Sequence, residues 1–214
     1  SENKSAASSS LTLGRPLKPI QIEENIYAID ATPTDCVHLA LCGFIKKPID
    51  LVVTGINFGA NLGDDTIYSG TVAGAIEGRF LGLPSIAISL ASWEGNHFET
   101  AGEIAKILVT QIGKSELSHN TIINVNVPDI PLSEIKGIKS THLGSRHKSE
   151  PSIKDKEDAS LYWIGENGKE DENSEGTDFH AISNKFVSVT PLQIDTTKHS
   201  ELKRMNDWLQ KIDY

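Results

Sequence analysis

Residues 51–74, LVVTGINFGANLGDDTIYSGTVAG, open as an apolar strand and close as a helix of small residues. A continuous apolar run such as Asp50–Ile56 is typical of a parallel strand covered on both faces. Between strand and helix lies a turn with Asn57, Asn61, the adjacent Asp64–Asp65 and several glycines, and little that is large and apolar. In open α/β sheets, ligands gather beyond the carboxyl ends of the strands. This polar turn stands at such an end.

Working outward, the pattern repeats. SIAISLA at 85–91 and TIINVNVP at 121–128 read as further buried strands. The segment 98–113 places Ala101, Ile104, Ala105, Leu108, Val109 and Ile112 on one helical face. TPTD at 32–35 is a helix start, with Thr32 as N-cap, Pro33 at the first helical position and Asp35 completing a capping-box pattern. That helix is expected to run until Pro48. Residues 10–30 suggest edge strands and a hairpin. Alternating helix and strand from 34 to 128 predicts an α/β fold: a Rossmann-like open, mostly parallel sheet with helices on both faces.

After residue 136 the character changes. KSEPSIKDKED at 148–158 is charged and mixed in sign, and is expected to be a solvated loop or arm. SLYWIG reads as a short aromatic strand, GENGKEDENSEGTD as a mobile acidic stretch, KFVSVTPLQID as a returning strand, and 198–212 as a last helix. The expected organisation is a core domain at 1–135, a β-hairpin arm and returning strand at 136–197, and a C-terminal helix at 198–214. Arms of this kind exchange between subunits, so an oligomer is expected.

The 214 residues carry a formal net charge of −9 and 38% hydrophobic residues. That charge argues against binding a nucleic-acid polymer. No segment has the unbroken apolar length of a membrane helix. The two cysteines, Cys36 and Cys42, sit six residues apart on different faces of one expected helix, which suits unpaired thiols in a reducing cytoplasm. The chain begins at Ser1 rather than Met, and no hydrophobic strand precedes its polar opening SENKSAASSSLTL. An upstream segment, absent from this chain, is therefore expected.

The turn and its helix can be read as a phosphate cradle. Free N–H groups at a helix start form an anion site. Ser69 and Thr71 add hydroxyl donors, and Gly70 admits the anion to the backbone. The plainer reading makes Ser69 a helix cap and the glycines chain-turners, but it must account for Asn57, Gly59, Asn61, Gly63 and Asp64–Asp65 together. An acidic protein without Lys or Arg in this turn needs a cation to hold phosphate, and the side-chain oxygen of Asn57 suits a hard divalent ion.

The stretch GINFGANLGDDTIYSGTVAGAIEGRFLGLPSIAISL resembles the signature region of the SurE-type 5′-nucleotidases, the stationary-phase survival proteins. The opening SENKSAASSSLTL, ATPTDCVHLAL, INVNVPD and LYWIG…GTDF…VSVTPL resemble other parts of the same family, so the likeness spans essentially the whole chain. It implies a Rossmann-like fold whose C-terminal arm assembles dimers or tetramers. It implies divalent-metal-dependent hydrolysis of nucleoside 5′-monophosphates, with other phosphomonoesters or polyphosphate as further substrates, and one Mg²⁺ or Mn²⁺ per subunit. By the same resemblance Ser5 and Asn57 are metal ligands, and Asn61, Ser69, Gly70 and Thr71 fall in the phosphate pocket. The family's Asn-Asp-Asp-Gly motif, which supplies the other ligands and the expected general base, is not in this chain, and Asp64–Asp65 does not replace it.

Within the chain no residue reads as a convincing base. His38, His142, His147 and His180 are expected to be structural or exposed, with Arg146–His147 the best placed to approach a substrate. Tyr162–Trp163 suits packing better than nucleobase stacking. A non-catalytic nucleotide-binding module using the same pocket is the alternative function. A NAD-binding Rossmann protein is disfavoured, because GINFGANLG lacks the GxGxxG spacing.

Overall fold

A computed structural model describes residues 8–112, 121–146, 148–158, 160–165 and 168–212. The expected hairpin is formed by β1 (Ile20–Glu23) and β2 (Ile26–Ala28), paired antiparallel. Helix α1 (Pro33–Leu39) starts as its residues dictate. Thr32 accepts from the Asp35 N–H, and the Asp35 carboxylate accepts from the Thr32 N–H. It does not reach Pro48. It widens into a turn at Ala40–Phe44, where Gly43 takes φ +126 and breaks the helix.

The next elements are β3 (Val52–Phe58), α2 (Gly70–Phe80), β4 (Ser85–Leu90), α3 (Phe98–Ile112) and β5 (Ile122–Val127). β6 (Ile138–Ser140) follows, then a small antiparallel hairpin of β7 (Ile153–Lys154) and β8 (Tyr162–Trp163). The chain ends with α4 (Asp178–Ser183), β9 (Val187–Leu192) and α5 (Leu202–Leu209). The central sheet has the order β3-β4-β5-β9-β6. β3, β4 and β5 run parallel, β9 returns antiparallel to β5, and β6 pairs parallel with β9. The sheet is thus mostly parallel. The acidic stretch before residue 178 leads into α4, a helix not read from the sequence; Thr177 caps it by accepting from the His180 N–H.

Helices cover both faces. On one face α3 contributes Ala101 and Ile104 to a core with Ile86, Ile88, Leu90, Val125, Val127 and Val187. On the other, Val72 and Ala75 of α2 meet Ala87 and Ile122. The small residues of α2 do what their size allows. A Cβ on Gly74 would lie 2.7 Å from Thr54 Cγ2, and one on Gly78 would lie 2.7 Å from Val52 Cγ2, so the helix backbone rests directly on β3. β4 is buried along its whole length. β3 is the outer strand among the described residues, and Val53 is 44% exposed, so full coverage holds for β4 rather than β3. No helix among the described residues is long and apolar enough to cross a membrane.

Candidate active site

Alternation along the strands sets up the site. In β4, Ile86, Ile88 and Leu90 point to the α3 face, so Ser85, Ala87 and Ser89 point to the α2 face. In β5, Val125 and Val127 join the α3 core, which leaves Ile122, Asn124 and Asn126 on the α2 face. That face is therefore polar at its carboxyl end, where Ser89, Asn124 and Asn126 lie beyond Ala87 and Ile122. Asn61 is seated on it. Its N–H donates to Asn126 Oδ1 at 2.8 Å, and its amide nitrogen donates to Ser89 Oγ at 2.6 Å. Its carbonyl accepts from Asn124 Nδ2 at 2.9 Å and from Asn126 Nδ2 at 3.0 Å. All four residues are buried, so these bonds fix the loop after β3 against the sheet.

The rest of the loop is clamped from the C-terminal half. Asp178 is fully buried and accepts from the Gly63 N–H at 2.7 Å and the Gly144 N–H at 2.9 Å. The Arg146 N–H donates to Asp64 at 3.0 Å. Its guanidinium donates through Nε to Asp65 Oδ2 at 3.0 Å, with Nη2 also at 3.0 Å, and lies 4.8 Å from the Phe179 ring centre. Asp64 and Asp65 are scaffold carboxylates. Arg146, the best cationic candidate from the sequence, already carries a carboxylate partner, and His147 lies outside the described residues. His38 pairs with Glu77 at 2.7 Å, away from the polar turn.

The predicted site residues divide as follows. Ser5 lies outside the described residues. Asn57 stands at the end of β3, just past an irregularity in the β3–β4 register between Thr54 and Asn57. Its amide nitrogen donates to the Gly59 carbonyl at 2.9 Å. That bond leaves Oδ1 as the atom a hard cation accepts. Ser69 caps α2 by accepting from the Val72 N–H at 3.1 Å, which leaves its own O–H to donate. Gly70 and Thr71 open the helix, whose first N–H groups have no intrahelical acceptor. Thr54 Oγ1 donates to the Thr71 carbonyl at 2.6 Å and so ties the helix start to the strand that carries Asn57. Pro33 of α1 packs beside Gly70, where a Cβ would stand 3.4 Å from its Cγ, an ordinary van der Waals contact. Asn61, by contrast, holds the floor of the loop with its amide turned inward.

Among the described residues no group of three His, Cys, Asp or Glu side chains could hold a metal. The side-chain oxygen of Asn57 is of a type that fits a divalent ion. Asn124, Asn126, Ser89 and Asp178 were not singled out from the sequence. Asn at 124 and 126 was the readable signal: two amides alternating with β-branched residues in a buried strand require partners.

Two carboxylates brace the surroundings. Burial opposes the ionisation of Asp35, but the N–H and O–H groups of Thr12 and Thr32 outweigh it and hold the carboxyl below its ordinary range. Burial also works against Asp129. The N–H groups of Asn96 and His97 and the Ser92 hydroxyl lower it in turn, and they pin the loop after β4.

Residues 1–150 match the family model described as Survival protein SurE. A protein named 5′-nucleotidase SurE from Ruthia magnifica subsp. Calyptogena magnifica is 70% identical over 212 residues, covering 99% of this chain and 86% of its own length. Another of that name from Nitrosococcus oceani is 51% identical over 212 residues, covering 98% of this chain and 84% of its own. Among solved structures, the SurE protein from Aquifex aeolicus superposes with a TM-score of 0.85 at 40% identity, covering 98% of this chain and 86% of that one.

Proposed function

The chain belongs to the SurE family, and from that premise we propose that it is a 5′-nucleotidase, a phosphohydrolase that removes phosphate from nucleoside 5′-monophosphates. One observation carries the site assignment: Asn57 and the open start of α2 share the carboxyl end of β3, joined by the Thr54–Thr71 bond. The N–H groups of Gly70 and Thr71, with the hydroxyls of Ser69 and Thr71, hold the phosphoryl oxygens. The Asn61 network keeps this cradle from relaxing when an anion arrives.

Asn57 and Ser5 bind a divalent cation, Mg²⁺ or Mn²⁺. When bound, that ion supplies the positive charge that a protein with a net charge of −9 does not otherwise present to phosphate. Cradle contacts that touch only the phosphoryl group also admit other phosphomonoesters and polyphosphate. High identity to relatives named as 5′-nucleotidases favours hydrolysis over nucleotide binding alone.

We also place a homodimer or homotetramer contact on the arm and last helix. There Ile153, Leu161 and Trp163, and Leu202, Met205 and Trp208, stay exposed. Cys36 and Cys42 are unpaired, in keeping with a cytoplasmic setting.

The deciding experiment replaces Asn57 with Ala and measures AMP hydrolysis with Mg²⁺ and Mn²⁺, together with Mn²⁺ affinity. Turnover is expected to fall beyond the roughly 10- to 100-fold that loss of a supporting group costs, with weaker Mn²⁺ binding. Unchanged turnover and metal affinity would remove Asn57 from the site.

A further inference from the structure

Building on the nucleotidase reading, we propose that Trp93 is the platform on which the substrate's nucleobase stacks. Trp93 sits in the loop 91–97, which leaves the sheet directly after β4. The register pairs Asn57 with Ser89 and Phe58 with Leu90, so this loop emerges beside the end of β3. The Gly59 N–H donates to the Leu90 carbonyl at 3.1 Å and closes the two strand ends together.

The indole rests on Gly59. A Cβ there would lie 2.7 Å from Trp93 Cη2 and 2.8 Å from Cζ3, and Gly59 has φ +103, so only glycine suits both the backbone and the contact. The carbonyl of this same Gly59 accepts the amide of Asn57. The ring and the cation ligand therefore share one residue as their common support.

One side of the ring is anchored and the other is open. Phe58 meets Trp93 edge-on at 5.8 Å and 83°, and is itself stacked with Phe98 at 6.3 Å and 20°. Trp93 nevertheless remains 74% exposed. The loop that carries it is rigidly held. Asp129 accepts from the Asn96 N–H at 3.0 Å and the His97 N–H at 2.7 Å, and Ser92 Oγ accepts from the Glu94 N–H at 2.9 Å. Gly95, at φ +69, lies so close to Phe58 that a Cβ would stand 2.6 Å from its ring. A large aromatic held out to solvent by a braced loop, resting on the residue that accepts from Asn57, suits a flat base attached through ribose to a phosphate held at that strand end. Stacking on a single ring tolerates every base and favours the larger purines. The other exposed tryptophans, Trp163 and Trp208, sit on β8 and α5 instead.

The test compares AMP with ribose 5-phosphate, which has the same sugar and phosphate but no base. In Trp93→Ala the preference for AMP should fall about tenfold or more, the effect of losing one base–aromatic stack, through KM rather than kcat. Trp93→Phe should keep most of it. An unchanged preference, or an equal loss on both substrates, would overturn the platform. Titration with adenosine, which carries no phosphate, separates this proposal from the reading beneath it. Quenching of wild-type tryptophan fluorescence that disappears in Trp93→Ala supports the platform even if no monophosphate is hydrolysed. Quenching that persists in the variant, or is absent from the wild type, overturns it.

Discussion

The two faces of the central sheet share the same strands but have different chemistry. Toward α3, Ile86, Ile88, Leu90, Val125 and Val127 form one continuous apolar core. Toward α2, the same strands run from Ala87 and Ile122 to Ser89, Asn124 and Asn126, and a loop is bolted on by buried hydrogen bonds. The dry face is non-directional and stabilises by area. The wet face is directional and fixes positions, because a buried hydrogen bond forms only where donor and acceptor meet in one geometry. Stability and siting are thus assigned to opposite sides of one sheet.

The sharpest way to break this division is to damage each face and ask what is lost. Ile88→Ala empties a fully buried position of the dry core. It should destabilise by roughly 2–5 kcal/mol, and for a chain of this size each kcal/mol lowers Tm by about 2–4 °C. KM for AMP, measured below the transition, should stay unchanged. A shift in KM as large as the loss of stability would mean that the faces are not separate. Asp178→Ala should show the opposite balance. It strands the buried N–H groups of Gly63 and Gly144 at a cost of about 2–3 kcal/mol. The freed loop runs into the start of α2, so kcat/KM should fall far more than in Ile88→Ala. Thermal melts and AMP kinetics on both variants decide the matter. Equal activities would sink the comparison.

The dry face was readable from the amino acids, since SIAIS and INVNV are runs that only a covered strand tolerates. The helix starts were readable too, because Thr32, Pro33 and Asp35 act locally. Partners distant in the chain were not readable. Asp178 meets Gly63 across 115 residues, and Arg146 meets Asp65 across 81. Spacing says nothing about such pairs. The polar turn stood out in the sequence as the candidate site; Asn57 lies near the end of β3, and the start of α2 at Ser69–Thr71 is tied to that strand through the Thr54–Thr71 bond. Asn61 was assigned to the pocket by the family resemblance; its side chain faces the sheet, a direction set by Ser89, 28 residues away, rather than by any neighbour in sequence.

Asp35 tests whether the helix start that packs beside Gly70 is also held by charge. It accepts from the Thr12 N–H and hydroxyl, both at 2.7 Å, and from the Thr32 N–H at 3.0 Å, joining the segment before β1 to α1. Asp35→Asn replaces one acceptor oxygen by a donor that faces donors, and should cost about 1–2 kcal/mol at pH 7, the smallest of the three effects. The pH dependence follows from the lowered carboxyl. Its folded-state pKa lies below the unfolded value of about 3.9, so the stabilisation is complete above that pH and is lost as pH falls through the folded value. The stability gap between wild type and Asp35→Asn, measured by urea unfolding, should therefore be widest near neutrality and close below about pH 4. Taking the difference between the two proteins cancels the other carboxylates, which titrate in both. A gap that stayed constant into acid would show that shape at the helix cap, rather than charge, holds this joint. The joint would then resemble the dry face more closely than its hydrogen bonds suggest.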